Sequence, residues 1–157
     1  MLRISKLTDY ATVILSHLAG DDTGLRTAVE LAELTGLGVP TVSKVLKGLH
    51  RAGLVSSARG AHGGYALARP AAGISAAEII DAVEGPVGLT ECATHPGQCG
   101  LEPSCRVGRS WQRVNVAIRR ALGEVKLTHL VGRDGSAVPV PDLVIALGAR
   151  PGVRVRA

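Results

Sequence analysis

Cys92, Cys99 and Cys105 are the only cysteines in the chain, and they fall within fourteen consecutive residues. Their spacing is Cys-x6-Cys-x5-Cys. Structural zinc sites use knuckles about two to four residues apart, because a tight turn brings two thiolates onto one tetrahedral ion. No such pair exists here. The wider spacing suits a loop wrapped around something larger than one ion. An iron–sulfur cluster, whose thiolates reach separate iron atoms, fits it best. Zinc, or free or redox-active thiols, are the alternatives. Three cysteines leave one ligand of a cluster to another residue, which would make the cluster more labile and one iron open to chemistry. His95 inside the loop, Glu91 and Glu102 beside it, and Asp9 far upstream are the candidates. Each also has an ordinary role. His95 can be a solvated loop residue, and Glu102 and Asp9 can sit near helix N-termini and favour the dipole. A cysteine nucleophile paired with His95 is a further possible chemistry. No third group orients the base and no substrate-pocket signature accompanies the pair, so no catalytic residue, enzyme activity or small-molecule substrate is expected.

An odd cysteine count argues against a secreted disulfide framework. The first six residues, Met-Leu-Arg-Ile-Ser-Lys, contain no long apolar run or small-residue cleavage site, and the charges of Lys6 and Asp9 break up the N-terminal stretch. No segment offers about eighteen uninterrupted apolar residues, so no membrane association is expected. The expected compartment is the cytoplasm, where thiols stay reduced and cysteine clusters more often hold metals.

The formal charge is +5, and its placement is more informative than its size. From Leu34 through Ala77 there is no Asp or Glu, while Lys44, Lys47, His50, Arg51, Arg59, His62 and Arg69 lie in that span. A one-signed stretch of this kind suits phosphate binding. Single strands and RNA, read largely by base stacking on aromatic platforms, are disfavoured: the chain has no Phe, one Trp and two Tyr.

The elements around this stretch follow from periodicity and caps. A first helix is expected over 8–19, capped by Thr8, with Tyr10, Ala11, Val13, Ile14, Leu15 and Leu18 as its apolar face. Thr27 and Glu30 form a capping box that opens a second helix burying Leu31, Ala32 and Leu34. After a glycine turn, Pro40 starts a third helix over 40–52. Val42, Val45, Leu46 and Leu49 point inward, leaving Thr41, Ser43, Lys44, Lys47 and Arg51 outside. Two short helices joined by a tight turn, the second basic outside, read as a helix-turn-helix. Residues 54–57 and 65–67 read as strands, and the glycine-rich tip between them carries Arg59, Gly60 and His62. This is a wing, whose Arg59 can reach a minor groove or a phosphate.

Ser75 and Glu78 form a second capping box for a short helix ending near Gly85. A long helix is expected over 105–125, with Val107, Trp111, Val114, Ile118, Leu122 and Val125 in a narrow coiled-coil-like stripe. Its other face carries Arg106, Arg109, Arg113, Arg119 and Arg120. Such a stripe on a long helix suggests a two-fold partner, with Val107, Trp111, Val114, Ile118 and Leu122 at a homodimer interface; packing against the chain's own first helix is the alternative, and the two can share the stripe. The expected class is mainly α with a small β-wing: a winged helix-turn-helix head (1–84), a cysteine-rich cluster-binding loop (85–105), a long C-terminal dimerisation helix (106–131) and a mobile Gly/Pro-rich tail (132–157). The expected DNA contacts are Thr41, Ser43, Lys44 and Lys47 on the recognition helix, with Arg59, Gly60 and His62 on the wing. The expected partner is double-stranded DNA with a near-palindromic operator.

Three elements coincide: Lys-Leu-Thr-Asp-Tyr at 6–10, Arg-Gly-Ala-His-Gly-Gly-Tyr at 59–65, and three cysteines before a long helix. Together they resemble the Rrf-type winged-helix regulators, among them the Isc regulator, the nitric-oxide-sensing repressor NsrR and the regulator of the Suf iron–sulfur assembly system. The resemblance covers roughly residues 1–131. Leu89-Thr90-Glu91-Cys92, then Cys99 and Cys105, then Trp111-Gln112-Arg113, look most like the Suf-system members. The Isc pattern adds a histidine three residues after the last cysteine, where this chain has Gly108. The resemblance implies a repressor that senses cluster status, with one [2Fe-2S] or [4Fe-4S] cluster per subunit held by Cys92, Cys99 and Cys105. In NsrR-like members an aspartate at the start of the partner's first helix completes the cluster. Asp9 stands at the matching place, which the resemblance ranks above His95.

Overall fold

The computed structural model describes residues 4–20, 24–60, 62–94, 97, 99–100 and 104–132. The chain begins with α1 (Lys6–Ala19), α2 (Ala28–Thr35) and α3 (Val39–Arg51). A hairpin of β1 (Val55–Ala58) and β2 (Gly64–Leu67) comes next, then α4 (Ala76–Glu84), α5 (Glu91–Thr94), α6 (Gly108–Glu124) and α7 (Leu127–Leu130). The class is the expected one, mainly helical with a small wing.

Helix α1 starts two residues before the expected Thr8. Ser5 is the cap, its hydroxyl accepting from the Thr8 N–H at 3.3 Å. Thr8 instead turns inward, is buried, and donates its hydroxyl proton to the Glu84 carboxylate. The Thr27–Glu30 capping box opens α2 as expected, and Gly36 leaves it at φ 70°, a left-handed conformation open to glycine at little cost. Leu34, expected to be buried, is 47% exposed. Leu31, Ala32 and Thr35 face inward, and at about 100° per residue Leu34 is carried off that face. Helix α3 buries the four expected residues, Val42, Val45, Leu46 and Leu49, against α1, α2 and α4.

The hairpin is antiparallel, in the register Val55↔Leu67, Ser56↔Ala66, Ser57↔Tyr65 and Ala58↔Gly64. Each strand extends one residue further toward the tip than expected, taking in Ala58 and Gly64. A third segment, not expected, lies along the far edge. Arg26 and Tyr65 exchange backbone hydrogen bonds at 2.9 and 2.8 Å. A Cβ on Gly64 would sit 2.8 Å from the Arg26 backbone, so only glycine permits this approach.

Within the expected cysteine-rich loop, residues 91–94 form the short α5. Helix α6 begins at Gly108 rather than Cys105, with no side-chain cap at Val107. The chain beyond α6 folds back onto the head. Ala76 N–H donates to the Val125 carbonyl and Leu127 N–H to the Ile74 carbonyl, both at 2.8 Å. Leu127 is fully buried in the same cluster as Ile14, Leu15, Leu46 and Ile74. Among the described residues no helix is long and apolar enough to cross a membrane. Of the tail expected at 132–157, all but Gly132 lies outside the described residues.

Candidate DNA-binding face and cysteine loop

Burial of the inner side of α3 fixes what its outer side presents. Lys44 and Lys47 are exposed, as is Arg51 at the end, while Thr41 and Ser43 are half-buried near its start. The His50 imidazole lies 3.1 Å from the Val55 carbonyl through Nδ1, which ties the end of α3 to the base of the wing. At the wing tip Arg59, Gly60 and His62 are exposed. The tip closes tightly, with Gly63 N–H donating to the Gly60 carbonyl at 2.9 Å. A Cβ on Gly63 would fall within 2.4 Å of the Ala58 carbonyl oxygen, so the turn requires glycine there. Among the described residues, none of Lys44, Lys47, Arg51 or Arg59 forms an ion pair. Their charge is left for an outside anion.

The three cysteines carry no disulfide. Cys92 lies in α5 and is half-buried, its Sγ 3.2 Å from the Thr90 hydroxyl oxygen. Cys99 is half-buried, and Cys105 is exposed just before α6. Among the described residues, no group of three or more His, Cys, Asp or Glu side chains is gathered as a metal site. Among the described residues the thiols are thus not closed into a ligand set. His95, Glu102 and the Glu91 side chain lie outside the described residues. Asp9 is exposed on the first turn of α1. It borders an apolar hollow of about 230 Å³ walled by Ile80, Leu122 and Leu130, where α1, α4 and the end of α6 meet.

The α6 stripe is split. Val107, Trp111 and Val114 are 58%, 46% and 44% exposed, whereas Ile118 and Leu122 are half-buried. The covered half packs on α4 of the same chain.

Two polar groups not singled out in the sequence, Asp81 and Asn115, position the loop, and a third, Glu84, holds the start of α1. Asp81 on α4 receives both terminal nitrogens of Arg119 on α6, at 3.0 and 2.6 Å, and the Val87 N–H at 3.2 Å. The hydrogen bonds to Asp81 raise the Arg119 pKa further, against the effect of burial. Asn115, buried within α6, accepts the Leu89 N–H at 3.3 Å. Glu84 accepts from the Ser5 N–H at 3.0 Å and from Thr8 Oγ1. The Thr8 hydrogen bond is the main reason its carboxyl lies below the usual range, with burial opposing. A sequence signal existed only for Asn115, a polar residue one position past the apolar stripe at Val114.

A basic second helix after a tight turn, followed by a hairpin with an exposed arginine, defines a winged helix-turn-helix DNA-binding protein. The family model described as "Rrf2: Iron-dependent Transcriptional regulator" matches residues 4–133. The chain belongs to this Rrf2 family of transcriptional regulators. It is 31% identical over 148 residues to the HTH-type transcriptional regulator IscR of Cereibacter sphaeroides, covering 90% of this chain and 96% of the relative. Its fold matches that of CymR, the global cysteine regulator of B. subtilis, with a TM-score of 0.64 and 28% identity, over 84% of this chain and 98% of the other. It also matches T. potens IscR with a TM-score of 0.60 and 28% identity, over 86% and 89%.

Proposed function

We propose that this DNA-binding regulator is a cytoplasmic homodimeric repressor that senses iron–sulfur cluster status and controls genes of the SUF cluster-assembly system. The observation that carries the reading is three free cysteines in the segment joining a winged head to a half-uncovered helix, in a chain whose family is described as iron-dependent. The chemistry of the donor set fits a cluster, with three thiols of suitable spacing in one region. Cys92, Cys99 and Cys105 would hold it, and the exposed Asp9 of a second copy would complete the set. When bound, the cluster supplies a labile ligand whose presence reports iron and oxidant levels. The head (1–84), the loop (85–105) and the dimerisation helix (106–131) divide the work. Thr41, Ser43, Lys44 and Lys47 face base edges and phosphates of the major groove, and Arg59, Gly60 and His62 touch the minor groove or backbone. Val107, Trp111, Val114, Ile118 and Leu122 form the dimer seam, the first three already open to a partner. A dimer of such heads reads a near-palindrome with half-sites about 10 base pairs, or a multiple, apart.

A second reading is supported by the fold match to a cysteine regulator. It is a regulator of the same fold that answers to nitric oxide or redox change, or is switched by zinc or thiols. Anaerobic purification, a visible spectrum, and iron, sulfide and zinc assays separate the two readings. Brown protein with iron and acid-labile sulfide supports the cluster. Colourless protein without iron, even after reconstitution, excludes it and leaves zinc content to choose between zinc and thiol switching.

A further inference from the structure

The last turn of α4 touches α1, α3, α6 and the start of the loop segment. Asp81 holds α6 through both terminal nitrogens of Arg119, at 3.0 and 2.6 Å, and holds the start of the loop segment through Val87 N–H. Ala82, the next residue, lies against the recognition helix: a Cβ built on Gly48 of α3 would be 3.4 Å from the Ala82 carbonyl oxygen. Glu84 holds the beginning of α1 through Ser5 N–H and Thr8 Oγ1, one residue from Asp9. From the α6 side, Asn115 takes the Leu89 N–H, three residues before Cys92. Between Glu84 and Cys92 the chain is therefore strapped to α4 and α6 at two backbone amides.

We propose that this turn is the coupling junction of the protein, with Asp81, Arg119 and Glu84 as positioning residues that pass the state of the cysteine loop to the recognition helix. The inference rests on the reading of the cysteine loop as the input, whatever occupies it. The physical reason is stiffness. Charge-assisted, two-point hydrogen bonds fix orientation as well as distance. The α3–α4 contact through Gly48 has no intervening side chain to absorb a shift. A change in loop geometry that displaces Val87 and Leu89 acts on α4 and α6 together, and α4 carries α3 with it.

Linkage is reciprocal, so DNA bound at the head must alter the loop. The test uses the full-length, reduced, cluster-free protein and a duplex selected by the wild type from a random library. The rate at which Ellman's reagent modifies the cysteines is measured with and without duplex. With loop opening fast against modification, the rate follows the population of exposed thiols, so the wild type is expected to change its rate by about fivefold or more on binding. Arg119→Gln is expected to bind the duplex yet lose that change, and Arg119→Lys to recover part of it. Glu84→Ala, which removes the acceptor of the Ser5 N–H and Thr8 Oγ1 and so cuts the α1 arm instead, is a second route to the same loss should Arg119→Gln not fold. A wild type whose thiols ignore the duplex, or folded variants that keep the full change, overturns the junction. Iron and sulfide assays judge the cluster reading separately. Thiol–DNA coupling in a protein that takes up no cluster would retain the junction and remove the cofactor.

Discussion

The head and the cysteine region solve opposite problems. In the head, α2 and α4 each open with a reciprocal capping box. Its aliphatic cluster of Ile14, Leu15, Leu46, Leu49 and Ile74 is fully buried. Even its glycines at 63 and 64 are placed where a side chain would collide with backbone. In the region from α5 through the first half of α6, Cys105 is exposed, no side chain caps α6, and Val107, Trp111 and Val114 face outward. The head is complete as a single chain. Among the described residues, the cysteine region has thiols without a gathered site and an apolar face without a cover, which suits the proposal of a part finished by a ligand and a second copy.

That contrast sets the order of expected effects. Leu46→Ala, which opens a cavity in the head, should cost about 2–5 kcal/mol in chemical denaturation. Cys99→Ala should cost no more than about 1 kcal/mol while abolishing cluster absorbance. Equal destabilisation by the two would erase the distinction. Trp111→Glu should leave the thermal midpoint of the head nearly unchanged and shift the protein to monomer in analytical ultracentrifugation. The loss in association is expected to be about 2 kcal/mol or more, the scale of an interface hot spot.

On the DNA side, affinity should fall roughly 10³–10⁵-fold between 50 and 200 mM salt if the dimer neutralises about 6–10 phosphates. Lys47→Ala should weaken binding evenly across sequences and reduce the salt slope by about 1 per replaced phosphate contact. Unchanged slopes would remove Lys47 from the interface. Ser75→Ala, which deletes a cap confined to the head, should cost about 1 kcal/mol.

The smallest effect is on acid stability. Thr8 lowers the Glu84 pKa, and burial opposes it. For Glu78, burial alone would raise the value, but hydrogen bonds from Ser75 and the Arg69 charge outweigh it. A carboxylate whose folded pKa lies below its unfolded value stabilises fully above that unfolded value, about 4.3 for Glu. The contribution is lost as pH falls through the lowered folded value. Thermal midpoints should therefore decline below about pH 4.3, and Glu84→Gln should flatten part of that decline.

What the sequence disclosed was mostly local. Capping boxes at Thr27 and Ser75, the inward four of α3 and the wing could be read because cap chemistry and periodicity act over a few residues. The start of α1 was misplaced because Thr8 has two possible roles, and its partner Glu84 is distant in sequence. The Arg26–Tyr65 bridge, the single turn at Leu127 and the Asp81–Arg119 pair were invisible for the same reason. Each is a non-local contact with no period of its own. Within the candidate site, the basic outer face of α3 was legible from an unbroken absence of acids. The arrangement of Cys92, Cys99 and Cys105 was not, since thiol spacing along a loop does not determine where the thiols converge.

The most direct test of the central claim is operator affinity, measured at one salt concentration, for the same preparation with its cluster reconstituted and with it stripped. The account predicts values that differ by about fivefold or more, with Cys99→Ala fixed at the stripped value under both treatments. Equal affinities for a protein shown to carry the cluster would mean that the cysteine region does not govern the head, and would contradict the account.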